Sequence, residues 1–156
     1  ALACINGRAI VNIEVKSTTT EPSQMTAICY ALNEAIQDAM TNFAYTVEHF
    51  VISSFNHALL SFFHTIYPEF SLAALIAHMP ADECKFTESL PVQFVNQDID
   101  SLSNSLVSDA HNRQLQVFVY TVDRYEDVEK CYFANVDGIF TNYPEKTRGF
   151  VQLCIE

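Results

Sequence analysis

Residues 10–16, Ile-Val-Asn-Ile-Glu-Val-Lys, alternate between apolar and polar side chains, which predicts a short strand. Asn12, Glu14 and Lys16 share one face of that strand because side chains two positions apart point the same way. An acid and a base are costly to bury there without partners. Two interpretations follow: a salt bridge on a solvated face, or a metal-binding carboxylate beside a phosphate-binding lysine at the end of a barrel strand.

Short apolar runs and helical periodicities alternate along the rest of the chain. Further strands are predicted at residues 50–55, 72–77, 91–96, 115–122 and 136–142. Amphipathic helices are predicted at residues 25–47, between a capping Asn56 and Pro68, from 101 or 103 to 110, at 125–134, and through 150–153. This alternation indicates α/β architecture with a parallel sheet; a doubly wound sheet and a piece of a (β/α) barrel both fit. Either architecture binds ligands at the carboxyl ends of its strands.

The charge and hydropathy of the chain limit the classes of binding partner. The 156 residues carry a formal net charge of −11, which argues against nucleic acid and against an anionic membrane surface. The chain has no run of 18 uncharged apolar residues, so membrane insertion is not expected. An acidic protein still binds a small phosphate ester where one lysine or a cation lies in the pocket.

The cysteine and glycine content limits the chemistry further. The five cysteines are an odd number without a C-x-x-C pair, which favours reduced thiols and a cytoplasmic location. With three glycines in the whole chain, a glycine-rich nucleotide loop is excluded.

Four motifs together resemble the glycerophosphodiester phosphodiesterase family. Residues 12–16 (NIEVK) resemble its NIEIK strand, and residues 53–56 (SSFN) resemble its SSFD or SSFN strand. Residues 110–123, from AHNRQLQV to YTVD, resemble the AHxxGLxV run and the WTVN motif, and residues 136–144 (VDGIFTNYP) resemble VDGIITDYP. The motifs occur in the family's order and cover nearly the whole chain.

The resemblance implies a (β/α) TIM-type barrel, incomplete here, with about six of the eight parallel strands. The chain corresponds to the family's third to eighth strands, so residues 1–156 are expected to form a single, N-terminally truncated barrel domain. The His-Arg motif of the first strand and the Glu-x-Asp pair of the second have no counterpart. In the family these parts supply the acid and base histidines and two of the metal carboxylates.

The resemblance also implies roles for individual residues. Glu14 corresponds to a third carboxylate ligand of a divalent cation, Mg or Ca, and Lys16 to a phosphate-binding lysine. Tyr120 stands where the family has Trp, and with Phe55 it would contact the substrate; packing in the core is the alternative for both rings. Asp123 and Asn142 stand where the family has Asn and Asp.

By resemblance, the intact family domain hydrolyses glycerophosphodiesters, which are small-molecule substrates, to sn-glycerol 3-phosphate and an alcohol in glycerol and lipid metabolism. We expect this chain to be inactive alone. The alternative is a non-catalytic barrel remnant that acts as a binding or interaction module. Its open strand edges would then be covered by a second copy or by an N-terminal segment.

Overall fold

A computed structural model describes residues 1–155, which form two compact units, Ala1–Ala74 and the described residues from Leu75 onwards. The strands are β1 Val11–Glu14, β2 Phe50–Ser54, β3 Ser71–Ile76, β4 Phe94–Asp98, β5 Gln116–Tyr120 and β6 Gly138–Ile139. The α-helices are α1 Leu2–Ile5, α2 Pro22–Asn42, α3 His57–Ile66, α4 Asn104–Asn112, α5 Tyr125–Ala134 and α6 Pro144–Ile155. Short 3₁₀ helices lie at Val47–His49, Lys85–Ser89 and Ile99–Ser101. The single-domain interpretation stays a prediction.

The first unit is built on parallel strand pairing. β1 pairs with β2 from Val11 opposite Phe50 to Glu14 opposite Ser53. β2 pairs with β3 from Val51 opposite Ser71 onwards. All five residues of β2 are buried, as expected for a central strand with both faces covered.

Helices α2 and α3 supply the apolar layer of this unit. Cys29 and Ile36 of α2 and Leu60 and Phe63 of α3 are each at most 2% exposed. Burial of a side chain such as Leu60 or Phe63 contributes about 1.5–3 kcal/mol to folding. Cys29, Ile36, Leu60 and Phe63 are thus apolar positions of the helical pattern that lie in the core.

The N-terminal turn is held against the segment that follows α2. The Tyr45 hydroxyl donates to the Leu2 carbonyl at 2.9 Å, and the Ala44 N–H donates to Asn6 Oδ1 at 3.2 Å. Gly7 has a φ of +70°, and a Cβ at this position would lie 1.7 Å from the Ala44 carbonyl oxygen. The close approach therefore requires glycine.

The second unit contains a parallel ladder of β4, β5 and β6. Val95, Val117 and Val119 share one face of this ladder and are fully buried. The opposite face carries three aromatic rings: Phe94 stacks on Phe118 with centroids 5.5 Å apart, and Phe118 meets Phe140 edge-on at 6.0 Å. The two faces therefore differ in chemistry, with aliphatic packing on one and an aromatic cluster on the other.

Several predicted boundaries are wrong. The long helix ends at Asn42, so Val47 lies in a 3₁₀ turn. The fourth strand covers Phe94–Asp98, whereas the pattern predicted 91–96, because Pro91 lacks the N–H that a ladder needs and Phe94 is the first residue paired, with Gln116. The last strand shrinks from 136–142 to Gly138–Ile139.

The loop after β3 is anchored by one carboxylate of α4. Asp109 Oδ2 accepts the Cys84 N–H at 3.0 Å and the Arg113 Nε–H at 2.9 Å, and Arg113 also donates to Glu88 at 2.7 Å. The hydrogen bond from Arg113 is the main reason that the pKa of the Asp109 carboxyl lies below its usual range. A lowered folded-state pKa stabilises the fold above the unfolded pKa, and this stabilisation is lost as pH falls through the folded value.

We expect Asp109→Asn to lower the free energy of unfolding by about 1 kcal/mol at pH 7. The substitution removes the negative charge that strengthens the hydrogen bonds from Cys84 and Arg113, and the site is partly exposed, so the loss is modest. Urea unfolding at pH 7 and at successively lower pH measures this, and the difference from wild type should vanish in acid. Asp82→Asn is the control, since Asp82 is 72% exposed and its nearest cation, Lys85, lies 3.9 Å away. An equal loss in both variants, or a loss that is independent of pH, would contradict the anchoring role.

Candidate functional site

Glu14 and Lys16 lie on the exposed face at the carboxyl end of β1, as the alternation predicts. Lys16 Nζ is 3.9 Å from Glu14 Oε2, and the two side chains are 81% and 35% exposed. An ion pair this long and this exposed contributes between 0 and about 1 kcal/mol. The pair therefore leaves both charged groups available to a ligand.

An open cleft of about 510 Å³ borders the two charges. Phe55, which follows β2 and is 50% exposed, forms part of its wall. The remaining lining residues belong to the segment that follows β1: Val15, Ser17 and Thr18. The structure thus brings together three of the four predicted site residues, Glu14, Lys16 and Phe55, around one cleft.

The segment after β1 is held in place by side chains at the end of β2. Ser54 Oγ donates to the Val15 carbonyl at 2.7 Å and accepts the Asn56 N–H at 3.0 Å. Asn56 Nδ2 donates to the Thr19 carbonyl at 2.7 Å, while Asn56 Oδ1 caps α3 through the Leu59 N–H at 3.1 Å. The predicted cap is confirmed, but its second bond is a tertiary contact that local sequence does not signal.

The polar face of β1 is also tied to β2 below the cleft. Asn12 Nδ2 donates to Ser53 Oγ at 3.1 Å, and Ser53 is fully buried. This bond orients the residue two positions before Glu14 on the same face. Sequence alternation places Asn12 on this face but gives no partner for it.

Tyr120, the fourth predicted site residue, lies in the second unit at the end of β5. Its hydroxyl donates to the Ile76 carbonyl at 2.8 Å, and the residue is half-buried. The ring is therefore held by a polar contact, which pure core packing would not require.

Asp123 and Asn142 pair with each other after β5 and β6. Asp123 Oδ2 accepts the Asn142 side-chain amide at 2.8 Å, and Asp123 Oδ1 accepts the Asn142 backbone N–H at 2.8 Å and the Thr141 hydroxyl at 2.9 Å. These bonds, chiefly those from Asn142, hold the pKa of the Asp123 carboxyl below its usual range. The two departures from the family pattern thus form one complementary pair that joins two loops.

The donor set for a metal ion is incomplete. Glu14 offers the oxygen chemistry that Mg or Ca prefers. However, no group of three or more His, Cys, Asp or Glu side chains is arranged to hold a metal among residues 1–155. One carboxylate does not make a divalent-cation site, so the residues present do not by themselves fit the implied metal.

Comparison with known proteins gives one consistent family. The family model described as "Glycerophosphoryl diester phosphodiesterase family" matches residues 4–146. A glycerophosphodiester phosphodiesterase of Bacillus altitudinis is 27% identical over 108 residues, which is 64% of this chain and 44% of that protein. The chain spans about half the length of the curated relatives it matches.

Solved structures show the same fold. A protein of Silicibacter pomeroyi DSS-3, named as a candidate glycerophosphoryl diester phosphodiesterase, has a TM-score of 0.80 at 22% identity, over 92% of this chain and 50% of its own. An Oleispira antarctica phosphodiesterase in complex with the product sn-glycerol-3-phosphate has a TM-score of 0.76 at 19% identity, over 92% of this chain and 55% of its own. With the six parallel strands, this likeness confirms the expected α/β barrel-type fold class.

We expect Asn56→Ala to cost about 1–2 kcal/mol of unfolding free energy, because it removes both the helix cap and the bond to Thr19. Asn56→Asp should cost less, since the carboxylate still caps α3 but has no N–H to donate to the Thr19 carbonyl. Urea unfolding measures both, with Asn104→Ala, an exposed position at the start of α4, as the control. No loss in Asn56→Asp would show that the tether to Thr19 contributes nothing, and equal losses in the two variants would show that the cap contributes nothing.

Proposed function

Because this chain belongs to the glycerophosphoryl diester phosphodiesterase family, we propose that it supplies the phosphate-binding strand of an enzyme that hydrolyses glycerophosphodiesters to sn-glycerol 3-phosphate and an alcohol. The observation that carries the proposal is the pair Glu14 and Lys16, side by side on the exposed end of β1 at the edge of an open cleft. The opposite charges suit a phosphate ester bound through a cation.

Lys16 would hold a non-bridging phosphate oxygen of the substrate. Its side chain is 81% exposed and its Nζ lies 3.9 Å from Glu14 Oε2, so an anion can approach it without breaking a close ion pair. An ammonium binds phosphate as a compact point charge with three rotatable donors. The chain has a formal net charge of −11, which repels an anionic ligand. The positive charge of Lys16 would offset this repulsion locally.

Glu14 would be one carboxylate of a divalent-cation site whose other ligands lie outside the residues described. Mg or Ca, when bound, would offset the negative charge of a phosphate, and Glu14 would be one of the oxygen ligands that hold it. The protein's own contribution here is orientation: pairing with Ser53 in the ladder fixes the Glu14 backbone. Phe55 and Tyr120 would contact the glycerol or alcohol parts of the substrate with their rings.

The incomplete donor set supports the view that this chain alone does not catalyse the reaction. A non-catalytic binding module remains the second candidate, and the same observation favours it. The two candidates share the anion site at Lys16 and differ in whether the substrate is hydrolysed.

The structure contains no helix, within residues 1–155, long and apolar enough to cross a membrane.

The proposal also includes a cellular location and the pairing of the outer strands. The five cysteines of the chain are all free thiols, which supports a cytoplasmic setting. β1 and β6 each pair with one neighbour among the described strands, which supports pairing with another segment or a second copy at those edges.

We expect Lys16→Met to weaken binding of inorganic phosphate and of sn-glycerol 3-phosphate about tenfold, the effect of losing about 1.4 kcal/mol of attraction. Glu14→Gln should strengthen both about two- to threefold in the absence of divalent cations, because it removes a nearby negative charge. Titration by isothermal calorimetry or NMR at low ionic strength measures the affinities. Lys146→Met is the control, since Lys146 is exposed and lies against the rings of Tyr143 and Phe150. Equal losses at Lys16 and Lys146 would refute a specific site.

We also expect the purified chain to release no sn-glycerol 3-phosphate from a glycerophosphodiester in the presence of Mg or Ca. The reason is that one carboxylate cannot fix the cation that the reaction needs. A coupled assay for sn-glycerol 3-phosphate measures the release, with Glu14→Ala as the matched variant. Release that Glu14→Ala abolishes would show that the chain is complete as an enzyme and would contradict this prediction.

A further inference from the structure

Asn96, in the middle of β4, has a buried side-chain amide without a hydrogen-bond partner. The residue is 1% exposed, and neither Nδ2 nor Oδ1 contacts a donor or acceptor in the part of the chain that the structure describes. A buried amide in this state forfeits the hydrogen bonds that water gives it in the unfolded chain. Such a group needs a partner that the described residues do not supply.

The amide lies on the ligand-side face of the strand ends. Asn96 pairs with Phe118, and Asp98, two positions on, pairs with Tyr120. Because side chains alternate, these four residues share one face of the ladder. Ligands of parallel α/β folds bind at the carboxyl ends of the strands, and Asn96 lies one residue pair below that end.

Tyr120 lies on the same face as Asn96 and makes a bond beyond its own strand. Its hydroxyl donates to the carbonyl of Ile76, the last residue of β3 and a member of the same unit. β4 lies between β3 and β5 in the strand order, so this bond spans the width of β4.

We propose that Asn96 is a ligand-binding residue whose amide bonds the hydroxyl groups of the glycerol part of the substrate. A neutral amide offers donors and an acceptor, which match hydroxyl groups that also donate and accept. The phosphate is a poorer match, because the amide oxygen faces an anion unfavourably. The identity of the ligand rests on the proposed function, whereas the affinity of the amide for hydroxyl groups does not.

Gln97 provides a matched comparison on the other face. It is also fully buried with an unpartnered Oε1, but its Nε2 donates to Ser101 Oγ. Its face is the one that carries the buried Val95, Val117 and Val119. A ligand on the face of Tyr120 would not contact Gln97. A variant at Gln97 therefore shows the effect of removing a buried amide that does not bind the ligand.

The test uses the full ¹⁵N-labelled chain with three probes: glycerol, sn-glycerol 3-phosphate and inorganic phosphate. The side-chain amide signals of Asn96 are identified by their loss in Asn96→Leu. We expect glycerol and sn-glycerol 3-phosphate to shift these signals and inorganic phosphate to leave them in place. Asn96→Leu should bind glycerol about tenfold more weakly while its melting temperature rises by about 3 °C, because an apolar side chain of similar size replaces an unpaired amide.

Gln97→Met should bind glycerol as the wild type does. The proposal is overturned if Asn96→Leu binds glycerol with unchanged affinity, or if molar glycerol leaves the Asn96 signals in place. A fall in melting temperature together with unchanged binding would assign Asn96 a structural role instead. If Lys16→Met leaves sn-glycerol 3-phosphate binding unchanged, the phosphate assignment of the proposed function fails, and the glycerol titration still decides the role of Asn96.

Discussion

The position of Lys16 depends on hydrogen bonds that β2 makes to the backbone beyond the end of β1. Once β1 stops, its carbonyls have no ladder partner, and buried carbonyls need one. Ser54 takes the Val15 carbonyl and Asn56 takes the Thr19 carbonyl, so both ends of the Lys16 segment are fixed. The lysine itself stays 81% exposed. A fixed backbone with an exposed charged side chain favours anion binding. The backbone is already ordered by folding, so less conformational entropy is lost when a ligand binds.

In the second unit, the register between β4 and β5 determines which side chains lie on each face of the ladder. A shift of one residue in β4 would move Asn96 to the aliphatic face and Gln97 to the face of Tyr120. The observed register keeps the valines together against the helices and leaves aromatic and amide groups on the other side. The free energy of burying the valines therefore selects the register, and the polar face follows from it.

The pair of Asp123 and Asn142 joins two loops through complementary polar groups. The Asp123 carboxylate accepts the Asn142 side-chain amide at 2.8 Å, so one negative charge and one donor bridge the two loops. The incomplete metal site differs in kind, since no neighbour among the described residues substitutes for the ligands that Glu14 lacks. Asp123 thus has its partner within the chain, whereas Glu14 by itself has only the capacity to contribute to a site.

Local pattern determined the order of the six strands, the start of α3 at Asn56, and the shared face of Glu14 and Lys16, because periodicity and capping act within a few residues. The tertiary structure decided what lies far apart in the chain. The bond of Asn56 to Thr19 spans 37 residues, and that of Tyr120 to Ile76 spans 44. The register of β4, and with it the burial of Asn96, likewise follows from pairing with β5. Such partners are set by packing of whole strands, which no short window of sequence records.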